Sequence, residues 1–268
     1  MNTYQDLLPV ATEAVRRAAR AMRQGSPGVL TLKGDRDVAS ELDFAIERDV
    51  RAFLAAETPD IGFLGEEEGD SGRADLRWVL DPIDGTANFL RRLPMCAVSL
   101  ALVHQNNPVL GVIELPFLSS LYTAVEDCGA HANGQRITVG GVSVLKDAIV
   151  AVGDYAVGPD ADAKNAMRLA LAAQLAARSQ RVRMMGSAAL DLAWLAEGRL
   201  DAAITLSNHL WDMASGVVIA REAGASVVDR HGNAHDSTSQ ETLAASPLLM
   251  PAILHLYQSA AAEVAAAA

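Results

Sequence analysis

The spacing of apolar residues changes twice along the chain, and these changes restrict the folds that it can adopt. In the first part, apolar residues recur at helical spacing and predict amphipathic helices over 4–22 and 39–56. Residues 61–125 hold short apolar runs separated by turn residues, which is typical of strands in an antiparallel meander. Further on, predicted strands and helices alternate, and an Ala-rich helix ends the chain. The pattern indicates an α+β half at 1–146 and an α/β half at 147–268.

The 268 residues are enough to bury a large core, and half of them are apolar, which is typical of a globular protein. The longest apolar stretches, at 97–103 and 109–118, are too short or too interrupted to cross a bilayer as helices. The amino terminus has no basic region followed by an apolar core, so we expect a cytoplasmic protein without a secretory signal. Cys96 and Cys128 are expected to remain thiols in that reducing compartment.

The predicted strand at 76–80 runs directly into the hexapeptide DPIDGT at 81–86. Pro82 stiffens a short turn between Asp81 and Asp84, whose carboxylates repel each other unless a cation lies between them. Oxygen ligands on a rigid turn suit Mg²⁺, which keeps several waters and binds one or two carboxylates together with substrate oxygens. The alternative is an Asp-rich turn that only caps a helix. The position of the whole hexapeptide between a buried strand and a helix favours the cation site.

Gly85 and Thr86 complete this motif with groups that suit an anion. Gly85 has no side chain, so the backbone can come close to a ligand there. Thr86 offers a hydroxyl and begins a short predicted helix, whose free amide groups would hold a phosphate. The net charge of −11 repels nucleic acid, anionic membranes and phosphate esters alike. We therefore expect no nucleic-acid or membrane partner, and bound cations would supply the positive charge that a phosphate needs.

Two sequence signatures resemble those of the inositol monophosphatase family. The first is WVLDPIDGTANF at 78–89, and the second, far along the chain, is WDMASGVVIAREAG at 211–224. A third element, GEE at 65–67, lies upstream of the first signature, where the family carries a metal-binding glutamate. The similarity extends from the first helix to the last strand. It implies an α+β fold of the sugar phosphatase and inositol monophosphatase type, which is an alternating αβαβα layered sandwich.

The resemblance also implies the ligands of two or three Mg²⁺ ions. The carboxylates of Glu66 and Asp81 and the carbonyl of Ile83 would bind one ion. Asp81, Asp84 and Asp212 would bind a second, and Glu66 would help to hold a third. The cofactor that the resemblance implies is therefore magnesium, held mostly by carboxylates from distant parts of the chain.

By the same resemblance, Thr86 and Glu66 would activate a metal-bound water, and Asp43 would orient Thr86. The amide groups of Gly85 and Thr86 would contact the phosphate. A cation lowers the pKa of bound water and stabilises the attacking and leaving oxygens, so no phosphoenzyme is needed. The implied function is magnesium-dependent, lithium-sensitive hydrolysis of a small phosphate monoester. A non-catalytic interaction protein with this fold could lose its carboxylates, and their presence favours the enzyme.

Several of these residues would have ordinary roles if they were considered alone. Asp212 opens a predicted helix and would cap it, but the surrounding signature favours metal binding. Asp43 lies in a predicted helix and would be a surface charge. Glu67 and Glu68, which follow Glu66, are expected to lie in a solvated acidic loop.

Two basic residues near these motifs have alternative interpretations. The polar loop around Lys33 is either an ordinary connection or, as in the family, a loop that closes on the site. In the second case Lys33 would reach the phosphate or the third metal. His209 is expected to be packed or exposed rather than catalytic, and zinc is disfavoured because no second His or Cys has ligand spacing.

The substrate-binding residues that the resemblance implies are Asp84, Gly85, Thr86, Ser187, Ala188, Thr205 and Asp212. Ser187 and Ala188 lie in a GSAA segment that is similar to a strand-to-helix turn of the family's substrate pocket, and a simple helix start is the alternative. Thr205 stands seven residues before Asp212, where inositol-specific members carry a glutamate. Because a neutral hydroxyl cannot accept a charge-assisted hydrogen bond as a carboxylate does, Thr205 leaves room for another leaving group.

The expected partner is a small phosphorylated metabolite. Inositol monophosphate is the leading substrate, followed by histidinol phosphate, 3′-phosphoadenosine 5′-phosphate and fructose 1,6-bisphosphate. Similar proteins are commonly dimers, so the resemblance also implies a homodimer.

Overall fold

Helices and two large β-sheets form the framework of the structure, a computed structural model that describes residues 4–267. The helices are α1 (Leu8–Gln24), α2 (Glu41–Glu57), α3 (Thr86–Leu90), α4 (Ala161–Arg178), α5 (Ala188–Ala196), α6 (Leu210–Glu222) and α7 (Met250–Ala267). Within this part of the chain, no helix combines the length and the apolar character needed to cross a membrane.

The strands are grouped into a hairpin and two sheets. The hairpin consists of β1 (Leu30–Gly34) and β2 (Asp37–Ser40). The first sheet contains β3 (Gly62–Gly65), β4 (Gly69–Ser71), β5 (Leu76–Asp84), β6 (Ala97–His104), β7 (Asn107–Leu115), β8 (Ser120–Val125), β9 (Gly129–Ala132) and β10 (Gln135–Arg136). The second sheet contains β11 (Ile149–Val152), β12 (Arg181–Arg183), β13 (Ala202–Thr205), β14 (Ser226–Val228) and β15 (Thr242–Ala245).

The two sheets differ in how their strands run. In the first sheet the order is β10-β9-β8-β7-β6-β5-β3-β4, and the neighbours are antiparallel except for the parallel pair of β3 and β5. In the second sheet the order is β12-β11-β13-β15-β14. There β11 is parallel to both of its neighbours, and β15 is antiparallel to both of its own. The predicted meander and the predicted alternating segment thus form separate sheets.

Five layers result from the way in which the helices cover these sheets. The helices α1 and α2 pack on one face of the first sheet through an apolar cluster that includes Val15, Ile46 and Leu100. The helices α5 and α6 lie between the sheets and contact both. The helices α4 and α7 cover the outer face of the second sheet through residues such as Leu171 and Ile253. The αβαβα layered sandwich of the α+β class is therefore confirmed.

The strand β7 shows why the middle of the molecule is so apolar. Val112 packs toward α1 and α2, whereas the next residue, Ile113, packs toward α5 and α6. At Gly111 a Cβ atom would lie 2.5 Å from the carbonyl oxygen of Ser215, so α6 rests directly on the strand backbone. A strand that is covered on both faces needs a nearly continuous apolar run, which explains the pattern seen in this part of the sequence.

The strand β5 is longer than the sequence predicts, and this extension positions the site. Pairing with β6 joins Asp81 to Ser99 and Asp84 to Ala97, so two residues of β5 stand opposite one residue of β6. This arrangement is a β-bulge, and it accommodates Pro82, which has no N–H group for the sheet ladder. The expectation of a turn between the two aspartates was wrong, because they belong to one bulged strand.

Candidate active site

A cavity of about 540 Å³ opens where the β5 bulge meets the amino-terminal ends of α5 and α6. A cavity of this size suits a small metabolite. The loops that follow β11 and β13 form another part of its wall. The structure brings the following sequence-predicted residues to this cavity: Glu66, Asp81, Ile83, Asp84, Gly85, Thr86, Ser187, Ala188, Thr205 and Asp212. The remaining predicted residue, Asp43, lies behind Thr86 and is fully buried.

Asp84 links the β5 bulge to the start of α5. The Ser187 hydroxyl donates a hydrogen bond of 2.5 Å to Asp84 Oδ2, and the amide of Ala189 donates another of 2.8 Å to the same oxygen. The amide of Ala188 lies 3.3 Å from Asp84 Oδ1. Because the first amides of a helix have no partner within it, an anion is stabilised there. Asp84 is thereby held at the junction of the two halves of the fold.

Asp81 is held by the bulge itself. Its Oδ1 accepts a hydrogen bond of 3.0 Å from the amide of Ile83, two residues further along the strand. The side chain is 2% exposed. This bond fixes the direction of the carboxylate and turns the backbone between Asp81 and Asp84 away from regular pairing.

Gly85 occupies a position that only glycine suits. Its φ angle is +84°, and a Cβ atom would lie 2.9 Å from the Gly186 carbonyl oxygen and 3.0 Å from that of Met95. Both the left-handed backbone and the close approach of two carbonyl groups therefore exclude a side chain. The helix α3 starts immediately afterwards, at Thr86.

The Thr86 hydroxyl faces two acceptors. Its oxygen lies 3.0 Å from the carbonyl oxygen of Ile83 and 3.4 Å from Asp43 Oδ1. A hydroxyl has one proton, so it donates to one of them at a time. Asp43 is itself anchored in the first turn of α2, where its Oδ2 accepts hydrogen bonds from the amide and the hydroxyl of Ser40. Considered alone, Asp43 was expected to be a surface charge. This expectation was wrong, because Asp43 caps the start of α2 and is buried there.

Asp212 caps a helix and lines the cavity at the same time. Its Oδ2 lies 3.3 Å from the amide of His209, within a capping box at the start of α6. His209 is exposed, and its ring stacks on Trp211 with a centroid distance of 4.8 Å, which agrees with the expectation of a packed or exposed histidine. The structural and the metal-binding interpretations of Asp212 are therefore compatible.

Lys33 reaches the site from the hairpin of β1 and β2. Its Nζ lies 2.6 Å from Glu66 Oε1 and 2.8 Å from Glu67 Oε1. The Glu67 side chain is only 2% exposed, and burial raises its pKa to about 7. The expectation of a solvated Glu67 was wrong, because the hairpin folds over it. Glu68 instead pairs with Arg48 at the surface.

The four acidic residues Glu66, Asp81, Asp84 and Asp212, here called the acidic cluster, share one electrostatic environment. Burial, and then the charges of its neighbours, raise the pKa of Asp81 well above its ordinary value, and the same causes act on Asp212. Burial raises the pKa of Asp84 to about 6, against the lowering effect of its hydrogen bonds. Buried carboxylates that repel one another are stabilised by a cation among them.

The oxygen atoms that could bind a metal here are of the type that a hard divalent cation prefers. Carboxylate oxygens and the Ile83 carbonyl are the ligand types that Mg²⁺ and Ca²⁺ prefer. Among residues 4–267, however, no group of three or more acidic, histidine or cysteine side chains is arranged so that it could hold a metal ion by itself. The Lys33 ammonium group pairs with Glu66 and supplies positive charge there instead. A cation that keeps several of its own waters matches such an open set of ligands.

Other polar residues on the cavity wall were missed by the sequence analysis: Arg36, Arg91, Asp154, Arg168, Asp191 and Ser207. Asp191 stands four residues after Ser187, so helical periodicity could have placed it on the same side as the GSAA segment. Asp154 and Arg168 lie in segments without a motif, and only the packing of the second sheet brings them to the cavity.

Comparison with known proteins places this arrangement in a family. The model of the inositol monophosphatase family matches residues 3–264. An inositol-1-monophosphatase of Rhizobium meliloti is 37% identical over 232 residues, covering 84% of this chain and 86% of that protein. A protein of Thermotoga maritima named fructose-1,6-bisphosphatase/inositol-1-monophosphatase is 32% identical over 86% of both chains. A solved structure described as Thermotoga maritima IMPase superposes with a TM-score of 0.88 at 28% identity, covering 97% of this chain and 99% of that chain.

The chain therefore belongs to the inositol monophosphatase family. The members of this family are phosphatases, that is, hydrolases of phosphoric monoesters, and they depend on metal ions. The protein is accordingly a phosphatase that acts on small phosphorylated compounds. Sensitivity to lithium is also a property of the family.

Proposed function

We propose that the protein hydrolyses a small phosphate monoester, with inositol monophosphate as the leading substrate, and that the acidic cluster holds the Mg²⁺ ions that the reaction needs. The observation that carries this proposal is the meeting of four carboxylates from distant segments in one metabolite-sized cavity. The raised pKa values of Asp81, Asp84 and Asp212 indicate a site that lacks positive charge. Two or three divalent ions would supply that charge and make room for a phosphate.

The residues around the phosphate would have different roles. Glu66, Asp81, Asp84, Asp212 and the Ile83 carbonyl would hold the metal ions, which supply Lewis acidity and a water of lowered pKa when bound. Glu66 would accept the proton of the attacking water. Thr86 Oγ1, held between the Ile83 carbonyl and Asp43, would orient that water for in-line attack.

The phosphate and the leaving group would occupy different parts of the cavity. The amides of Gly85 and Thr86 would contact the phosphate, since no side chain at Gly85 blocks its approach. Ser187, Ala188 and Thr205 would face the leaving group from the second half of the chain. This arrangement supports a division in which 1–146 provides most of the metal ligands, whereas 147–268 provides Asp212 and the substrate pocket.

Fructose 1,6-bisphosphate is the second candidate substrate. Arg36 and Arg91 line the same cavity, and a guanidinium group suits a second phosphate. The Thermotoga maritima relative whose name includes both activities supports the same alternative. Histidinol phosphate and 3′-phosphoadenosine 5′-phosphate would complete a panel of test substrates.

The experiment is phosphate release from this panel, with Mg²⁺ or with EDTA, by the wild-type protein and Asp84→Asn. We expect release to require Mg²⁺ and to fall by about 100-fold or more in Asp84→Asn, since the variant lacks one ligand charge. Asp60→Asn, an exposed carboxylate away from the cavity, is the matched control and should behave as wild type. Full activity in EDTA or in Asp84→Asn would contradict the proposal.

A further inference from the structure

Asp191 is a buried carboxylate on the cavity wall that the proposed hydrolysis does not use. It lies near the start of α5 and is 3% exposed. Within the described chain, its Oδ1 has no hydrogen-bond partner. Burial, followed by the charges of Asp84 and Asp154, raises the pKa of Asp191 well above its ordinary value. An acceptor buried without a partner destabilises a protein, so a ligand that supplies a donor is the simplest account of its position.

Arg168, a cationic group of the same wall, forms its hydrogen bonds with other residues. Arg168 donates to the carbonyl oxygens of Asp154 at 3.2 Å, of Lys164 at 3.1 Å and of Leu206 at 3.2 Å. It also donates to Ser207 Oγ at 2.7 Å. The guanidinium group thus ties the loops after β11 and β13 together. Four of its five N–H groups are occupied in this way, and none of these bonds reaches Asp191.

Other polar neighbours do not provide the missing donor either. The Ser187 hydroxyl donates to Asp84, and its oxygen accepts from the amide of Leu190. Asp154 carries a carboxylate and adds negative charge near Asp191. No side chain or amide of the described residues donates to Asp191 Oδ1, so a water or a substrate group in the cavity is left to supply the donor.

The chemistry of the wall indicates which molecule this is. A phosphate placed beside Asp191 would be repelled by Asp191, Asp154 and Asp84 together, so a second phosphate would have to lie elsewhere in the cavity. A hydroxyl group can donate to Asp191 and can also accept a hydrogen bond. The Ser207 hydroxyl, whose oxygen already accepts from Arg168, retains a proton that it can donate to such a group. An ammonium group can donate but cannot accept, so hydroxyl groups match the wall better.

We propose that Asp191 is a substrate-binding residue that accepts a hydrogen bond from a hydroxyl of the leaving group. Asp191 would thereby contribute to the selection of leaving groups that carry further hydroxyl groups over leaving groups that carry none. The inference rests on the proposed phosphatase function and names the part of the substrate that the second half of the chain recognises.

The test compares three esters in the presence of Mg²⁺: inositol 1-phosphate, histidinol phosphate and para-nitrophenyl phosphate, whose leaving group carries no additional hydroxyl. The readout is the ratio of kcat/KM for inositol 1-phosphate to kcat/KM for para-nitrophenyl phosphate. We expect this ratio to fall by about 10- to 100-fold in Asp191→Ala, mainly through KM. It should fall less in Asp191→Asn, which keeps an acceptor oxygen but loses the charge. The exposed variant Asp60→Asn is the control.

Thermal unfolding separates substrate binding from a structural role. Removal of a buried carboxylate without a partner should leave the Tm of Asp191→Asn equal to that of wild type or raise it. A lower Tm together with equal losses for all esters would overturn the proposal. An unchanged ratio would also overturn it, and so would a greater loss for histidinol phosphate, which would identify an ammonium ligand. If wild type hydrolysed none of the esters, the phosphatase proposal itself would fail, which is a different result.

Discussion

At the scale of a single residue, Asp84 has a structural role in addition to the metal-binding role proposed for it. It ends the β5 bulge and accepts hydrogen bonds from Ser187 and Ala189 at the start of α5. Its carboxylate therefore joins β5 of the first sheet to α5 without a bound metal. In Asp84→Asn the amide oxygen can still accept one of these bonds, so the loss of activity should exceed the loss of stability.

Gly85→Ala is predicted to lower both stability and activity. The φ angle of +84° disfavours any Cβ atom, and that atom would lie within 3.0 Å of two carbonyl oxygens. We expect a loss of about 2–4 kcal/mol in the free energy of unfolding, because neither backbone can move away easily. Since Gly85 begins the segment that carries Thr86, kcat/KM should fall by about 100-fold.

Gly134→Ala separates the two causes of this effect. Gly134 has a φ angle of +79°, but a Cβ atom there would meet nothing within 4 Å. This control should lose only about 1 kcal/mol and keep full activity. Urea unfolding and phosphate release check both variants. Equal effects in the two variants would show that the close approach at Gly85 is unimportant.

At the scale of secondary-structure elements, the starts of three helices hold carboxylates at or beside the cavity. The helices α2 and α6 each carry an aspartate at the third position of a capping box, Asp43 and Asp212. The helix α5 presents its first amides to Asp84. A helix start offers free N–H groups and a positive end of the dipole, so carboxylates can be held there despite their mutual repulsion. The capping chemistry of the fold thus stabilises the acidic cluster before any cation binds.

The segment between β14 and β15 should make the stability of the protein dependent on pH. His235 is 4% exposed, and its Nε2 lies 2.7 Å from Thr242 Oγ1. Burial, and then the charge of Arg221, lower its pKa from 6.5 to about 4, although Asp236 and Asp229 act in the opposite direction. His235 is therefore protonated at a lower pH in the folded state than in the unfolded chain. Stability should decline as the pH falls from 6.5 to about 4, by up to about 3 kcal/mol.

This pH dependence is tested by comparing wild type with His235→Gln. The variant can be less stable overall, but its stability should vary less with pH in this window, because the residue that titrates is gone. His255→Gln, an exposed histidine on α7, should retain the dependence of wild type. Urea unfolding at several pH values provides the measurement. Parallel curves for wild type and His235→Gln would contradict the assignment.

At the scale of the whole molecule, the elements and the acidic cluster could be predicted because their signals are local. Helical spacing, apolar runs and the DPIDGT motif each depend on residues near one another in sequence. The β5 bulge was missed because Pro82 indicates a turn locally, whereas pairing with β6 holds it in a strand. The burial of Glu67 and the positions of Asp154 and Arg168 in the wall depend on contacts with distant segments. Such contacts leave no trace in local periodicity.

The whole molecule should be stabilised by Mg²⁺ more strongly at higher pH. Without metal, raised carboxylate pKa values favour folding at low pH, and this stability is lost as the pH rises through the folded-state pKa values. These are about 6 for Asp84 and well above the ordinary value for Asp81 and Asp212. If the acidic cluster holds Mg²⁺ as proposed, binding of the ion to the deprotonated groups should restore this stability. At a hundredfold excess over Kd, the gain is about 2.7 kcal/mol, or roughly 5–10 °C in Tm.

Thermal unfolding with Mg²⁺ and with EDTA, at about pH 6 and about pH 8, measures this gain. The difference between the two metal conditions cancels the contribution of His235, which titrates in both. The gain should be larger at the higher pH, smaller in Asp84→Asn and unchanged in Asp60→Asn. An equal rise in Tm at both pH values would show that Mg²⁺ binds outside the acidic cluster. Binding depends on pH in this range only if the ion binds buried carboxylates that lose protons between the two pH values.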